Sequence, residues 1–245
     1  MQIIAGQPVY SATDLVGFLA CNHLTDLERC KQLGLVEKPE RTDPELEIII
    51  KRGYEHEQEY IGRLRAKGRD VHDYSADRPE GAEPGEFYRE RADVTRQAIA
   101  RGDDVIFQAC FFDGTWLGFA DFLLRVERPT PTLAWSYEVA DTKLARSVKA
   151  SAVLQLCSYS EHLARIQGAE PEWMHVVLGG SAREVGHFRV ARYAAYYRTV
   201  KQRFLQTVGA PLPDVYPPPA PSYPDPAEHC EVCRWWPVCN VRRRR

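Results

Sequence analysis

A chain of 245 residues is long for one domain but within the range of a single α/β enzyme with helical additions, and it can bury a sizeable core. Its formal charge of −2 excludes attraction of nucleic acid by the field of the whole protein, so such a partner would have to be met by a local basic surface. Seven cysteines, no signal peptide and no long apolar span argue against export and membrane insertion. They point to a reducing, cytoplasmic setting, where clustered cysteines are more often metal ligands than disulfides.

In chain order, Ser11 or Thr13 caps a short helix from Asp14 to Cys21, because a hydroxyl there accepts orphan amide protons of the first turn. Apolar residues at helical spacing predict a second helix from about Pro44 to Lys67, ended by Gly68, and a third from Arg89 to Arg101, ended by Gly102. The period then changes. Val105 to Phe112 and Thr115 to Val126 are rich in strand formers and flank Asp113-Gly114, a hairpin signal. A third strand is expected at Ala134 to Thr142, then a helix from about Ser147 to Gln167, a strand at Trp173 to Leu178 and a helix from about Ala191 to Val208. This order outlines an α/β protein with a mixed sheet flanked by helices. Pro211 to Pro226 reads as a semi-rigid strap.

The catalytic candidates lie on the strands. Asp121 sits inside the apolar run Gly118-Phe-Ala-Asp-Phe-Leu, where a carboxylate needs a cation or hydrogen-bond donors. Asp141 and Lys143 are two apart on the next strand and therefore share a face. If the two strands pair, Asp121 approaches Asp141, and two close carboxylates form a hard-oxygen site suited to Mg2+ or Mn2+. Lys143 beside such an ion can orient or deprotonate water, or stabilise charge on a phosphate. The competing account is a strand-end ion pair of Asp141 with Lys143 and a turn-capping Asp121.

On the following helix Gln155 and Tyr159 are one turn apart, either a bridge from the strand-end residues to a phosphate or an exposed polar stripe. His56 on the second helix can offer a nitrogen ligand, or be an ordinary core or solvated histidine. Near the C-terminus, Cys230-x2-Cys233-x5-Cys239 has an early partner in Cys21 or Cys30. Four thiolates suit zinc or an iron-sulfur cluster, and the x2-then-x5 spacing departs from the paired x2 spacing of structural zinc sites. Cys110 and Cys157 are expected to be buried spectators. Trp235-Trp236 either shields the cysteine centre or stacks on an unpaired base, shielding being preferred. Arg242 to Arg245 form a basic tail suited to phosphates.

Taken in order, Gly53-x-x-His56, Asp121, Asp141-x-Lys143, Gln155-x3-Tyr159 and Cys230-x2-Cys233-x5-Cys239 with Cys21 resemble the RecB-family nucleases of the PD-(D/E)XK superfamily. The likeness is strongest to members with an iron-sulfur cluster, such as the CRISPR-associated RecB-like exonucleases and the AddB nuclease domain. Each motif is weak alone; their conjunction from Cys21 to Cys239 is specific. The resemblance implies a restriction-endonuclease-like fold, Mg2+ or Mn2+ at His56, Asp121 and Asp141, Lys143 at the attacking water, and Gln155 with Tyr159 supporting the site and the DNA. It also implies a [4Fe-4S] cluster on Cys21, Cys230, Cys233 and Cys239, joining the N- and C-terminal segments; Cys21, before Asn22-His23, matches the family arrangement better than Cys30. Asp141 departs from the pattern, since many relatives carry Glu there.

The expected organisation is thus an N-terminal segment, 1–43, with the first cluster cysteine, a RecB-like nuclease core, 44–210, and a Pro-rich strap with the cysteine cluster, 211–245. The expected activity is metal-dependent exonucleolytic hydrolysis of DNA, single-stranded and 5′ to 3′ as the resemblance implies, in DNA repair, recombination or CRISPR adaptation. A helicase or further domains in the same chain or complex are implied partners, and no membrane is expected. Two alternatives stand beside it: a catalytically silent DNA-binding or assembly module that keeps the fold and the cluster, and a zinc-stapled protein-interaction domain.

Overall fold

In a computed structural model of the chain, residues 1–40, 44–180, 184–210, 214–217 and 222–244 are described. The expected strap, 211–226, falls partly outside them. The chain divides into two compact units, Pro44–Tyr197 and Met1–Asp43 with Arg198–Arg245. Among the described residues, no helix is long and apolar enough to cross a membrane.

The larger unit is α/β. It carries α3 (Pro44–Ala66), β3 (Val71–Asp73), α4 (Pro84–Arg101), β4 (Val105–Phe112), β5 (Leu117–Val126), β6 (Ser136–Lys143), α5 (Ala150–Gln167), β7 (Trp173–Leu178), β8 (Val185–Arg189) and the start of α6 (Val190–Val208). The six strands form one mixed sheet in the order β3-β4-β5-β6-β7-β8, with parallel β3/β4 and β6/β7 pairs and antiparallel pairs elsewhere. The β4–β5 hairpin turns at Asp113-Gly114, with Gly114 at φ 91°. There the Asp113 carboxylate accepts the amides of Thr115 (3.0 Å) and Trp116 (2.7 Å). Those amides are turned from the ladder, so β5 begins at Leu117 and not at Thr115 as expected.

Helix α3 covers one face through Tyr60, Ile61 and Leu64, which pack on Val71, Val105, Phe107, Phe122, Ala140 and Val177. Tyr60 meets Phe122 edge-on at 4.9 Å. Helix α5 covers the opposite face, where its Cys157 touches Met174. Gly118 is needed for that packing, because a Cβ there would stand 2.7 Å from the Tyr159 ring.

The smaller unit gathers both chain ends: β1 (Gln2–Ile4), β2 (Gln7–Val9), α1 (Ala12–Ala20), α2 (Asn22–Gln32), the rest of α6, a short 3-10 turn at Glu228–Glu231 and α7 (Trp236–Arg243). Tyr10 and Phe18 pack edge-on against Phe204 at 5.1 and 5.7 Å. The Asp14 carboxylate closes the start of α1 by accepting the Ser11 amide (2.8 Å) and hydroxyl (2.9 Å). Cys21, expected to end a helix, is an extended residue (φ −166°, ψ 114°) between α1 and α2. The strands β1, β2, β3 and β8 and the helices α2 and α7 were not expected.

Candidate functional site

The candidate active site forms where the sheet stops being regular. The β5/β6 ladder ends at Phe122↔Ala140, so the next position brings Asp121 opposite Asp141. The β4/β5 ladder pairs Phe107 with Phe122 and Ala109 with Ala120 but lapses between them, at Gln108 and Asp121. Gln108 is left-handed, φ 58°, a conformation that costs a non-glycine residue about 1 kcal/mol or more.

The alternation of side chains changes phase at this point. Phe107 and Phe122 lie under α3, whereas Phe111 and Gly118, four residues along each strand, meet Tyr159 and His162 of α5. A regular strand would keep residues four apart on one face. The left-handed residue re-aims the chain, and Asp121 occupies the opening.

Five of the expected residues gather there. Asp121 Oδ2 accepts the Thr142 amide at 2.7 Å and the Thr142 hydroxyl at 2.8 Å, which are the donors an intruding carboxylate requires. Asp141 is 1% exposed and pairs with Lys143 Nζ. The Lys143 ammonium lies against Asp141 Oδ2, so the buried oxygen is met by a cation from its own strand. Burial first, then the adjacent Asp121 carboxylate, raises the Asp141 pKa well above the usual range, against the pull of Lys143. On α5, Gln155 Nε2 donates to the Tyr159 hydroxyl at 2.8 Å. Burial, and further the charges of Asp141 and Asp121, raise the Tyr159 pKa, so its phenol lies within electrostatic reach of the carboxylates.

His56 stands somewhat apart. It is buried on α3, and its Nε2 lies 3.1 Å from the Val177 carbonyl, on β7 beside the end of β6. With the proton on Nε2, the Nδ1 lone pair remains available to a cation. Two participants were not expected. Glu57 has its pKa raised to about 7, by burial first and then by Asp121, opposed by Lys143 and by a hydrogen bond from the Gln108 side chain. Thr142 is the other. Neither has a local signal: Glu57 sits in a charged helical stretch, and Thr142 is set by its partner across the strand.

Among the described residues, no group of three or more His, Cys, Asp or Glu side chains already stands at metal-holding spacing. The donor set nonetheless fits a hard divalent cation: two abutting carboxylates, one of them buried, and a third carboxyl within electrostatic reach. Asp141 against Lys143 also matches the strand-end ion pair, the competing account, although its burial and its crowding by Asp121 go beyond such a pair.

All seven cysteines are free thiols. Cys239 packs with Leu27 and Trp235, and Cys233 lies against that cluster. Burial first, then the charges of Cys233, Cys21 and Cys230, push Cys239 up to about 11. Cys233 is likewise raised by burial and by Cys21 and Cys230. Cys21 thus lies within electrostatic reach of the C-terminal thiols, whereas Cys30 is fully buried and its thiol is perturbed by burial, Asp26 and Arg29. Cys230 is lowered, chiefly by Arg243, whose Nη2 donates to its sulfur at 3.4 Å, with the Ala227 amide at 3.4 Å. Three thiols within electrostatic reach of Cys239, with N–H donors on Cys230, supply the donor set of a four-thiolate centre.

The two tryptophans differ in burial. Trp235 is buried and donates to Glu28 at 2.8 Å; Trp236 is 42% exposed, with the Arg243 guanidinium 5.1 Å from its ring centre. Cys110 and Cys157 are buried, and burial pushes each thiol up to about 12. Arg242 and Arg243 belong to α7, and Arg243 is engaged by Cys230 and by the carbonyls of Pro224 and Asp225; Arg245 lies outside the described residues.

No protein-family model matches this chain, and no curated protein is significantly similar to it. The chemistry of the two centres therefore rests on their own residues.

Proposed function

We propose that the Pro44–Tyr197 unit hydrolyses DNA phosphodiester bonds, as a RecB-like exonuclease of restriction-endonuclease-like fold acting on single strands from the 5′ end in the cytoplasm. The observation that carries this reading is the abutment of Asp121 and Asp141 at the point where both flanking ladders lapse, with Lys143 on the buried member. A chain gains nothing in stability from two carboxylates in such a place, and the arrangement makes chemical sense as a cation cradle.

Mg2+ or Mn2+ bound by Asp121 and Asp141, with His56 Nδ1, would supply an acidified water and neutralise charge gathering on the phosphate. Thr142 holds Asp121 in place through Oδ2. Lys143 Nζ holds Asp141 as a carboxylate and presents its remaining protons to the attacking water or a phosphate oxygen. Glu57, within electrostatic reach of Asp121 and Lys143, would be the carboxylate placed to accept a proton from the attacking water. Because Gln155 donates to the Tyr159 oxygen, the Tyr159 proton is left to donate to a substrate oxygen.

The four thiols hold a [4Fe-4S] cluster in this reading, with a structural role in the smaller unit. The test is digestion of end-labelled single-stranded DNA with Mn2+ by the anaerobically purified chain, with iron, sulfide and zinc analysis. Lys143→Ala and Asp121→Ala are expected to lose cleavage while keeping the fold and the iron chromophore. Undiminished digestion by either variant refutes the site, and salt-sensitive DNA binding without any product assigns the chain to the silent module instead.

A further inference from the structure

Away from both centres, β6, β7 and β8 carry a chain of three polar groups. Glu138 Oε2 lies 3.0 Å from His175 Nε2, and His175 Nδ1 lies 2.8 Å from His187 Nδ1. The imidazoles meet edge to face, at 79° and 4.9 Å between ring centres. Glu138 and His175 are each 8% exposed, whereas His187 is exposed on β8, which among the described residues pairs only with β7 at the end of the sheet. His175 and His187 are direct cross-strand partners, so their approach is set by the ladder and not by chance rotamers.

The protons can be assigned from the carboxylate outward. Ionised Glu138 only accepts, so His175 carries its proton on Nε2 and turns the Nδ1 lone pair toward His187. A single proton then bridges the two Nδ1 atoms. Two nitrogens bound at about 2.0–2.1 Å to one ion stand roughly 2.8–3.0 Å apart in octahedral and about 3.3–3.4 Å apart in tetrahedral geometry. The observed gap lies within the first span or a few tenths of an ångström below the second, and among the described residues no strand pairs with the outer side of β8 to resist opening.

We propose that His175 and His187 form a divalent transition-metal site in which the ion replaces that bridging proton. Glu138 fixes the ring of the inner ligand from behind, the carboxylate–histidine–metal arrangement that orients and strengthens an imidazole ligand. Water completes the coordination on the exposed side of His187. Two imidazoles and water select Zn2+, Ni2+ or Cu2+ over Mg2+, which takes oxygen ligands, so this site is chemically distinct from the Asp121/Asp141 cradle and does not rest on the nuclease reading. The bound ion clips β8 to β7 and stabilises the sheet end by mass action.

Imidazole nitrogen NMR of the full chain tests this, with Zn2+ added beyond the amount taken up by the thiols. At one further equivalent the Nδ1 signals of His175 and His187 should move together while His175 Nε2 stays protonated. His187→Ala should erase the response of His175 without altering the fold, and Glu138→Gln should weaken the affinity about tenfold. A His175 Nδ1 that ignores zinc, or a His187→Ala chain whose His175 responds as before, overturns the site; unchanged affinity in Glu138→Gln overturns the role given to Glu138.

Discussion

The two centres are prepared for positive charge in opposite ways. At the carboxylate site like charges abut, one of them on the buried Asp141, and the cation that meets it, Lys143, belongs to the same strand. At the thiol centre Arg243 and the Ala227 amide already donate to Cys230, and the more buried thiols, Cys233 and Cys239, have raised pKa values. The first is a cluster of charge that the fold tolerates at a cost. In the second, burial keeps two of the thiols, Cys233 and Cys239, in their neutral form until an ion displaces their protons, and under the proposed reading the bound centre would then help hold the smaller unit together. Removing a ligand should therefore stabilise one unit and unfold the other.

The largest effect is expected from Asp141→Asn. The change keeps the shape but removes the buried charge beside Asp121, leaving Lys143, which is about one-third exposed, to water. Mn2+-dependent cleavage should fall by about a thousandfold or more. The metal-free protein should gain on the order of 1–2 kcal/mol, read as a rise of a few degrees in the melting temperature of the larger unit. A variant that loses activity and also melts earlier would show that Asp141 is a structural ion pair.

Cys239→Ser is expected to do the reverse. Cys239 is buried against Leu27 and Trp235, so the variant should lose the centre and its packing together. Amide exchange in α1, α2 and α7 should rise by about tenfold or more, while amides of β4, β5 and β6 keep their protection. Retained iron with unchanged exchange would remove Cys239 from the centre, and retained zinc without iron would favour the zinc-stapled alternative.

How much of this could be read beforehand follows from the physics of each signal. Strands β4 to β7 and helices α3 to α6 announce themselves by period, because each buries a continuous face. The three-residue strands β1, β2 and β3 do not, since so few residues carry no period, and β8, Val-Gly-His-Phe-Arg, is an edge strand with little to bury. The break at Cys21 has no proline or glycine to mark it. Asp121, Asp141 and Lys143 stood out as polar groups in apolar or alternating strands. Glu57 and Thr142 did not, because their roles depend on where α3 crosses the sheet and on how β5 and β6 part. The left-handed Gln108 was illegible for the same reason: nothing local forbids a regular strand there, and only the pairing around Asp121 reveals the change of phase.

The smallest effect is also the most specific to the carboxylate site. Glu57 is ordinarily a group of pKa 4.5 and stands at about 7 in the folded chain, with burial and Asp121 as the chief causes. The folded state therefore holds this proton more tightly than the unfolded state, and stability falls as pH rises between the two values. Below about 4.5 both states are protonated and the group has no influence; above about 7 the full penalty is present. Chelator-treated protein should accordingly show a lower denaturant midpoint at pH 8 than at pH 5.5, and Glu57→Gln should flatten that slope while leaving contributions from other groups in place. Because Glu57 is partly open to solvent, the difference should be modest, well under the effect of Asp141→Asn. Adding Mg2+ should flatten the slope as well, since a cation among the carboxylates removes the reason for Glu57 to keep its proton. An equal slope in the wild-type and Glu57→Gln chains would place Glu57 outside the electrostatic reach of Asp121 and detach it from the site.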